Sequence, residues 1–161
     1  MNYLSDKICT PEEAAELIQN QEVVGVSGFT LSGYPKLVPK ALAKKAERLH
    51  QAGIPFAITL YSGASTGESC DGLLALANAV SERAPSQPNA TLRKKINDGT
   101  IRYLDEHLGL MGVKIREGSL RAPTTVIIEA SHISEDSKIY LSTSGGNTVA
   151  FLERAENVII E

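Results

Sequence analysis

Three loops rich in glycine and serine are the segments of this chain best suited to bind a ligand. They cover residues 27–33, 62–67 and 144–147, and each follows a segment with the composition of a β-strand. Glycine lets the backbone approach a ligand closely, and hydroxyl and N–H groups can hold an anion. Because ligands bind at the carboxyl edge of a parallel sheet, the three loops together predict one shared rim for a small anion. A single loop of this composition would be explained by the need of a turn for glycine and serine.

The common cofactor motifs do not fit the sequence. Gly25 and Gly28 lack the third glycine of the dinucleotide fingerprint, and no phosphate-binding loop ending in Gly-Lys-Ser/Thr occurs. We assign no nucleophilic serine, although residues 63–67, GASTG, have the Gly-x-Ser-x-Gly spacing of the nucleophile elbow of an α/β-hydrolase. The three histidines and two cysteines have no ligand spacing, so we predict no metal site and no disulfide framework.

Two single residues could also serve a site. Glu129 ends an apolar strand, where a carboxylate must be paired or face a cleft, although a solvent-facing strand end is the simpler interpretation. Cys70 follows a loop and could be a thiolate at a helix start. Since no histidine lies near it in the sequence, we predict that Cys70 is inert.

Length and composition limit the class of protein. A chain of 161 residues corresponds to one domain, and 42% apolar with 22% charged residues is close to the globular average. A net charge of −3 gives no electrostatic reason to expect nucleic-acid binding. The chain has no run of 18 apolar residues and no targeting segment, so we expect no membrane span and a cytoplasmic location.

Helical and strand patterns alternate along almost the whole chain. A capping box at Thr10 and Glu13, with Pro11 at the first helical position, begins the first helix. Further helices are predicted from residue 35 or 39 to 53, over 71–82, 91–97 and 107–111, and after 144–147. Strands are predicted over 22–27, 56–61, 101–104, 124–129 and 157–161, with a hairpin over 133–141. This alternation predicts one α/β domain over residues 1–161, with an open, mostly parallel sheet and helices on both faces.

Several segments together resemble one known family, the acetyl-CoA hydrolase/CoA-transferase family of the succinyl-CoA:acetate type. Five stretches occur in the family's order over nearly all of residues 10–161, and each of them alone would be a weak match. They are VGVSGFT (24–30) with GYPKLVPKAL (33–42), SGAS (62–65), ATLRKKIN (90–97) with YLDEHL (103–108), TVIIEA (125–130) and TSGGN (143–147). They match the N-terminal half of the family, and the strand that ends the chain also suggests a piece of a longer protein.

The resemblance implies an enzyme that moves CoA between carboxylic acids through a glutamyl-CoA thioester. In that family the nucleophilic glutamate and most CoA-binding residues lie in the C-terminal half, so no catalytic residue is assigned here, neither Glu129 nor Glu161. An acyl-CoA thioester and a small carboxylate would be the substrates, with no tightly bound cofactor and no metal. The partners implied are the missing C-terminal domain and further copies of the chain in a homo-oligomer, with no nucleic acid and no membrane.

The part of the family's site that carries over to this chain is the small-carboxylate pocket. Ser65 and Thr91 would donate hydroxyl hydrogen bonds to an acid, and the remaining lining residues would be Gly28, Phe29, Thr30 and Asn147. Leu31-Ser32 and Gly145-Gly146 depart from the family pattern, which leaves the preferred acid open.

Two other interpretations stay open at this stage. The chain could be a binding module that holds a small anion without chemistry, since it contains no complete set of catalytic residues. It could also be a separate subunit of a two-chain CoA-transferase, because glycines 25, 28 and 33 also resemble the start of such subunits. The sequence does not distinguish a hydrolase from a transferase.

Overall fold

The computed structural model describes residues 4–161, so the first three residues of the predicted domain lie outside the described part. The strands are β1 (Val23–Val26), β2 (Ile58–Tyr61), β3 (Val80–Ala84), β4 (Arg102–Tyr103), β5 (Thr125–Ile128), β6 (Ala130–Ile133), β7 (Ile139–Leu141) and β8 (Asn157–Ile160). The helices are α1 (Pro11–Glu16), α2 (Leu37–Gln51), α3 (Leu73–Leu76), α4 (Ala90–Asn97), α5 (Leu108–Glu117) and α6 (Thr148–Leu152). A 3-10 turn covers Ser5–Lys7, and a π-helical turn over Glu68–Gly72 precedes α3.

Six strands form one parallel sheet in the order β4-β3-β2-β1-β5-β8, and β6 pairs with β7 in a separate antiparallel hairpin. The strand order reverses at β1, because β2, β3 and β4 extend to one side of it while β5 and β8 extend to the other. In open parallel sheets ligands bind at such a switch point, outside the carboxyl ends of the strands. The predicted α/β fold with a parallel sheet is confirmed.

Helices cover both faces of the sheet, as predicted. One apolar cluster joins the sheet to α1, α2, α3 and α4, and its fully buried side chains include Ile18, Leu42, Leu74 and Leu92. The other joins the sheet to α5 and α6 through Met111, Ile115 and Phe151. Burial on both faces explains why β1, β2 and β5 consist almost entirely of apolar residues.

The predicted start of the first helix is confirmed in detail. Glu13 N donates to Thr10 Oγ1 at 3.2 Å, and Thr10 N donates to Glu13 Oε2 at 2.8 Å, so the two residues form a reciprocal capping box. Pro11 occupies the first helical position, where its missing N–H is not needed.

The helix predicted over residues 71–82 is wrong beyond Leu76. The helix stops there, Asn78 has a left-handed φ of +54°, and residues 80–84 form β3 in the middle of the sheet. The apolar spacing suits a helix, but the segment continues into β3, which contains the consecutive charged residues Glu82 and Arg83. Both are buried in β3, because each finds partners of opposite charge from distant segments. Ala84 is the last residue of this strand.

Within residues 4–161, no helix combines the length and the apolar character needed to cross a membrane.

Candidate functional site

The three glycine loops meet at the carboxyl edge of the sheet. A Cβ added at Gly63 would lie 2.0 Å from the carbonyl oxygen of Gly28, and one added at Gly146 would lie 2.5 Å from the same oxygen. Gly28 itself has a φ of +105°, which side chains rarely permit. The backbones of all three loops are therefore in direct contact, and we call this contact the glycine junction. The predicted meeting of the three loops is thus observed, although the third loop follows β7 of the hairpin rather than a strand of the sheet, and their role in holding an anion stays a prediction.

Ser27 connects the loop after β1 to the neighbouring strand. Its buried hydroxyl donates to the carbonyl oxygen of Gly33 at 2.7 Å and accepts the backbone N–H of Glu129 at 2.9 Å. One hydroxyl thus holds both ends of the loop after β1 and fixes it to the end of β5. The switch point between β1 and β5 is rigidly built.

The tip of the same loop projects outward from the junction. Phe29 and Ser32 exchange two backbone hydrogen bonds of 2.9 and 3.2 Å, which leaves Thr30 and Leu31 as a two-residue turn. Phe29 is 45% exposed, and Thr30 is exposed with a φ of +56°. Ser32 Oγ shares a 2.7 Å hydrogen bond with Thr143 Oγ1, which ties the tip to the third loop. Two of the predicted lining residues thus stand at an open rim.

Ser65 lies in the loop after β2 and is only 3% exposed. Its two neighbours are held, because Ser86 Oγ donates to the Ala64 carbonyl at 2.6 Å and Thr66 N donates to Asp71 Oδ2 at 2.9 Å. Within residues 4–161, the Ser65 hydroxyl itself has no hydrogen-bond partner. It is a donor in a fixed position, and its hydrogen bond is free for a ligand.

Thr91 and Asn147 are placed less closely. Thr91 lies half-buried in the first turn of α4, which is capped by Asn89, and no hydrogen bond in the described chain joins it to Ser65. Asn147 directly follows Gly146 of the junction, and its Nδ2 is buried with no partner among residues 4–161. The structure thus brings Gly28 together with the loops of Ser65 and Asn147. It shows no hydrogen bond between Thr91 and these loops within residues 4–161.

Two further buried polar groups, close to the glycine loops along the sequence, were missed. The Tyr61 hydroxyl and Thr148 Oγ1 are buried and have no partner within the described residues. Tyr61 precedes Gly63 by two residues, and Thr148 follows Gly146 by two. Burial, followed by the charge of Glu82, raises the pKa of Tyr61 to about 12, so its hydroxyl remains a donor at neutral pH. Buried donors are nearly always paired in proteins, so these groups are candidates for contact with a ligand or with a further part of a longer protein.

A charged network lies beside the junction, at the ends of β5 and β8. Lys36 pairs closely with Glu129, whose other oxygen accepts Ser142 Oγ at 2.6 Å. Partial burial opposes ionisation, but the hydrogen bonds from Lys36 and Ser142 prevail and lower the pKa of Glu129. The Glu161 carboxylate accepts the N–H groups of Leu37 at 2.9 Å and Val38 at 2.8 Å, and so fills the N-terminus of α2. Both carboxylates are therefore already engaged within the domain.

A further cleft lies at the amino edge of the sheet, with a volume of about 830 Å³. Its main charged groups are already paired, since Arg121 donates to Thr59 at 3.0 Å and to Glu82 at 3.1 Å. We place the candidate site at the carboxyl edge instead, where the topology predicts ligands and where polar groups lack partners. In the part of the chain that the structure describes, no three histidine, cysteine, aspartate or glutamate residues cluster as a metal site would require.

Comparison with known proteins gives a consistent result. Residues 2–161 match the model of the acetyl-CoA hydrolase/transferase N-terminal domain. The chain is 46% identical over 158 residues to a succinyl-CoA:acetate CoA-transferase of Clostridium kluyveri, covering 98% of this chain and 29% of that protein. It is 34% identical to an acetyl-CoA hydrolase of Neurospora crassa, covering 96% of this chain and 30% of that protein.

A solved structure supports the fold alone. The apoenzyme of an acyl-CoA transferase from Escherichia coli O157:H7 superposes with a TM-score of 0.72 at 11% identity. The match covers 96% of this chain and 42% of that one. The chain thus spans about 30% of the length of the curated relatives that it matches.

Proposed function

The chain belongs to the acetyl-CoA hydrolase/transferase family, and from this premise we propose that it forms the small-carboxylate side of an active site that moves CoA between short carboxylic acids. The observation that carries the proposal is the glycine junction, which joins three loops at the switch point of the sheet. On two of those loops, Ser65 and Asn147 carry polar groups that have no partner among residues 4–161.

In this proposal the acid binds through neutral donors. The hydroxyls of Ser65 and Thr91 and the amide of Asn147 donate to the carboxylate, while Gly28, Phe29 and Thr30 line the rim. A hydrogen bond to a charged acceptor is worth about 1.5–3 kcal/mol, so two or three such bonds suffice to orient a small acid. Neutral donors hold the acid without a tight ion pair, which leaves its oxygen able to react.

The covalent steps use a glutamate that this chain does not provide. Its carboxylate attacks the acyl-CoA carbonyl and expels CoA thiolate, and the thiolate then attacks the resulting anhydride, releasing the first acid and leaving a glutamyl-CoA thioester. A second acid reverses these steps and leaves as its CoA thioester. Glu129 and Glu161 do not take this role in the proposal, because both carboxylates are already bonded within the domain.

The rest of the enzyme is part of the same proposal. This chain is the N-terminal domain of a longer protein, inactive alone, and the remaining two thirds supply the glutamate and most contacts to CoA. CoA enters and leaves as a substrate rather than as a tightly bound cofactor. The native protein assembles as a homo-oligomer.

The test uses the full-length protein with acetyl-CoA as donor and succinate as acceptor. We expect Ser65→Ala to raise the KM for the acceptor at least tenfold, the value of one charge-assisted hydrogen bond. Ser81→Ala is the matched control, since its hydroxyl donates to Ile58 O at the opposite end of the sheet. An unchanged acceptor KM for Ser65→Ala would exclude this carboxylate site.

The same assay separates the two reactions of the family. A transferase produces a new acyl-CoA only when an acceptor acid is present. A hydrolase releases free CoA at a rate that does not depend on the acceptor. Formation of succinyl-CoA from acetyl-CoA and succinate supports the transferase, and acceptor-independent CoA release supports a hydrolase.

A further inference from the structure

A fully buried ion pair lies directly behind the loop that carries Ser65. Arg83 of β3 donates from Nε to Asp71 Oδ1 at 3.2 Å and from Nη2 to Asp71 Oδ2 at 3.1 Å. Both side chains are 0% exposed. A buried ion pair is weak grounds for stability, because desolvation of the two charges offsets their attraction and an apolar pair of similar volume often performs as well. The alternative is that the ion pair positions neighbouring groups, and its other contacts show which groups these are.

Three of the remaining hydrogen bonds of this pair end on the two ends of one loop, and Arg83 Nη1 also donates to the carbonyl oxygen of Ala84 in its own strand. Arg83 Nη2 donates to Ser62 Oγ at 2.7 Å, which holds the beginning of the loop. Asp71 Oδ2 accepts Thr66 N at 2.9 Å, and Thr66 Oγ1 accepts Asp71 N at 3.1 Å, which hold its end. The ion pair thus spans residues 62–66 like a clamp, with Ser65 inside the span.

The middle of the loop is held by other contacts. Ser86 Oγ donates to Ala64 O at 2.6 Å, and Gly63 lies against the backbone of Gly28 at the glycine junction. Each residue around Ser65 is therefore fixed by a hydrogen bond or by close packing, while the Ser65 hydroxyl has no partner within residues 4–161. Among residues 62–66, the neighbours of Ser65 are held in place, and Ser65 carries the hydroxyl that is free to donate.

We propose that Arg83 and Asp71 are positioning residues that hold the Ser65 hydroxyl in the geometry needed to bind the acceptor carboxylate. This inference rests on the proposed function of Ser65. A donor that is held in place before binding loses less conformational freedom when the acid binds, and small displacements of such groups are costly to catalysis. Neither residue touches the acid.

The test is a double variant of the full-length protein, Arg83→Met with Asp71→Leu. It removes both charges together, so no unpaired buried charge remains, and the fold is expected to keep a Tm within about 5 °C of the parent. The clamp on Ser62 and Thr66 is lost, and the KM for the acceptor acid should rise about tenfold or more, with a smaller effect on kcat. A purely structural role predicts a lower active fraction with an unchanged KM.

Two single variants keep the test decisive if the double variant does not fold. Ser62→Ala removes one anchor and leaves the ion pair intact, and it should raise the acceptor KM about threefold, with a lower Tm because a buried N–H of Arg83 loses its acceptor. Arg83→Lys keeps the charge but loses the two-pronged contact, and it should give an intermediate KM. Unchanged KM values in both variants would overturn the inference.

Glu82→Gln is the matched control. Glu82 is the neighbouring residue in β3, and its carboxylate is also engaged in ion pairs, with Arg102 at 3.3 Å and with Arg121 at 3.1 Å. These contacts lie at the amino edge, away from the Ser65 loop, so Glu82→Gln should lower the Tm without changing the acceptor KM.

Failure of the inference and failure of the proposed function give different results. If Ser65→Ala raises the acceptor KM but the clamp variants do not, the positioning role is wrong and the carboxylate site stands. If neither Ser65→Ala nor the clamp variants change this KM, the proposed site itself is wrong.

Discussion

Replacement of Gly63 by alanine should be among the most damaging single-methyl additions to this domain. The new Cβ would lie 2.0 Å from Gly28 O and 3.0 Å from Gly146 Cα, and both obstacles are backbone atoms that no rotamer change can move. To reach an ordinary contact of about 3.4 Å, the loops after β1 and β2 must separate by more than 1 Å at the junction. The methyl group would therefore open the candidate site as well as strain it.

The cost can be set from these distances. Overpacking in a well-packed region costs about 1–3 kcal/mol, and a backbone-to-backbone clash belongs at the upper end of that range. We therefore expect the free energy of unfolding to fall by about 2–3 kcal/mol. The acceptor KM should rise in the same variant, because Ser65 follows Gly63 by two residues.

Urea unfolding and steady-state kinetics on the full-length protein would measure both effects. Gly109→Ala is the matched control, since its Cβ would meet only His107 atoms at 3.5 and 3.6 Å and it lies in α5, where alanine is favoured over glycine by about 1 kcal/mol. We expect Gly109→Ala to be neutral or stabilising. A Gly63→Ala protein within 0.5 kcal/mol of the parent, with an unchanged KM, would refute the contact geometry of the junction.

Three further changes test other parts of the structure. The fold lowers the pKa of Glu129 from 4.5, so the ion pair with Lys36 stabilises the protein above about pH 4.5 and is lost as the pH falls through the lower, folded pKa. We therefore expect the Tm, measured from pH 2 to 6, to change less with pH in Glu129→Gln than in the parent. Thr10→Ala removes the cap of α1 and should cost about 1 kcal/mol in urea unfolding, whereas Thr10→Ser should retain most of it, and equal losses would contradict the capping role. Cys9 is exposed while Cys70 is fully buried with its thiol pKa raised by burial, so peptide mapping after alkylation should find only Cys9 modified in the native protein; native labelling of Cys70 would count against the described packing.

The fold followed from the sequence because its signals are local. The capping box at Thr10 marks a helix start, and the apolar runs that became β1, β2 and β5 mark strands buried on both faces. Strands of this kind alternating with helices leave few sheet topologies to choose from. The meeting of the first two glycine loops was predictable for the same reason, since each follows the carboxyl end of a strand of the parallel sheet. The third loop follows β7 of the separate hairpin, so its arrival at the junction was not predictable in this way.

The clamp and β3 were not predictable because they depend on distant pairing. Arg83 can lie in a buried strand only because Asp71, twelve positions earlier in the π-helical turn, supplies an opposite charge. Read alone, two adjacent charged residues indicate an exposed surface. Nor does any local pattern mark Tyr61 or Thr148, whose unpaired hydroxyls are recognised only from burial in the folded chain.

The place of β1 in the sheet has a consequence for synthesis on the ribosome. β1 is complete only when β5 lies beside it, and the paired residues Val24 and Thr125 are separated by about 100 positions in the chain. At about 5–20 residues per second, the ribosome needs roughly 5–20 s to make that intervening stretch. During this interval β1 can pair with β2 on one side only, and its other, apolar edge stays open to wrong partners. The nascent chain is therefore most exposed to misassociation before β5 emerges, and this is the interval in which a chaperone would have most effect.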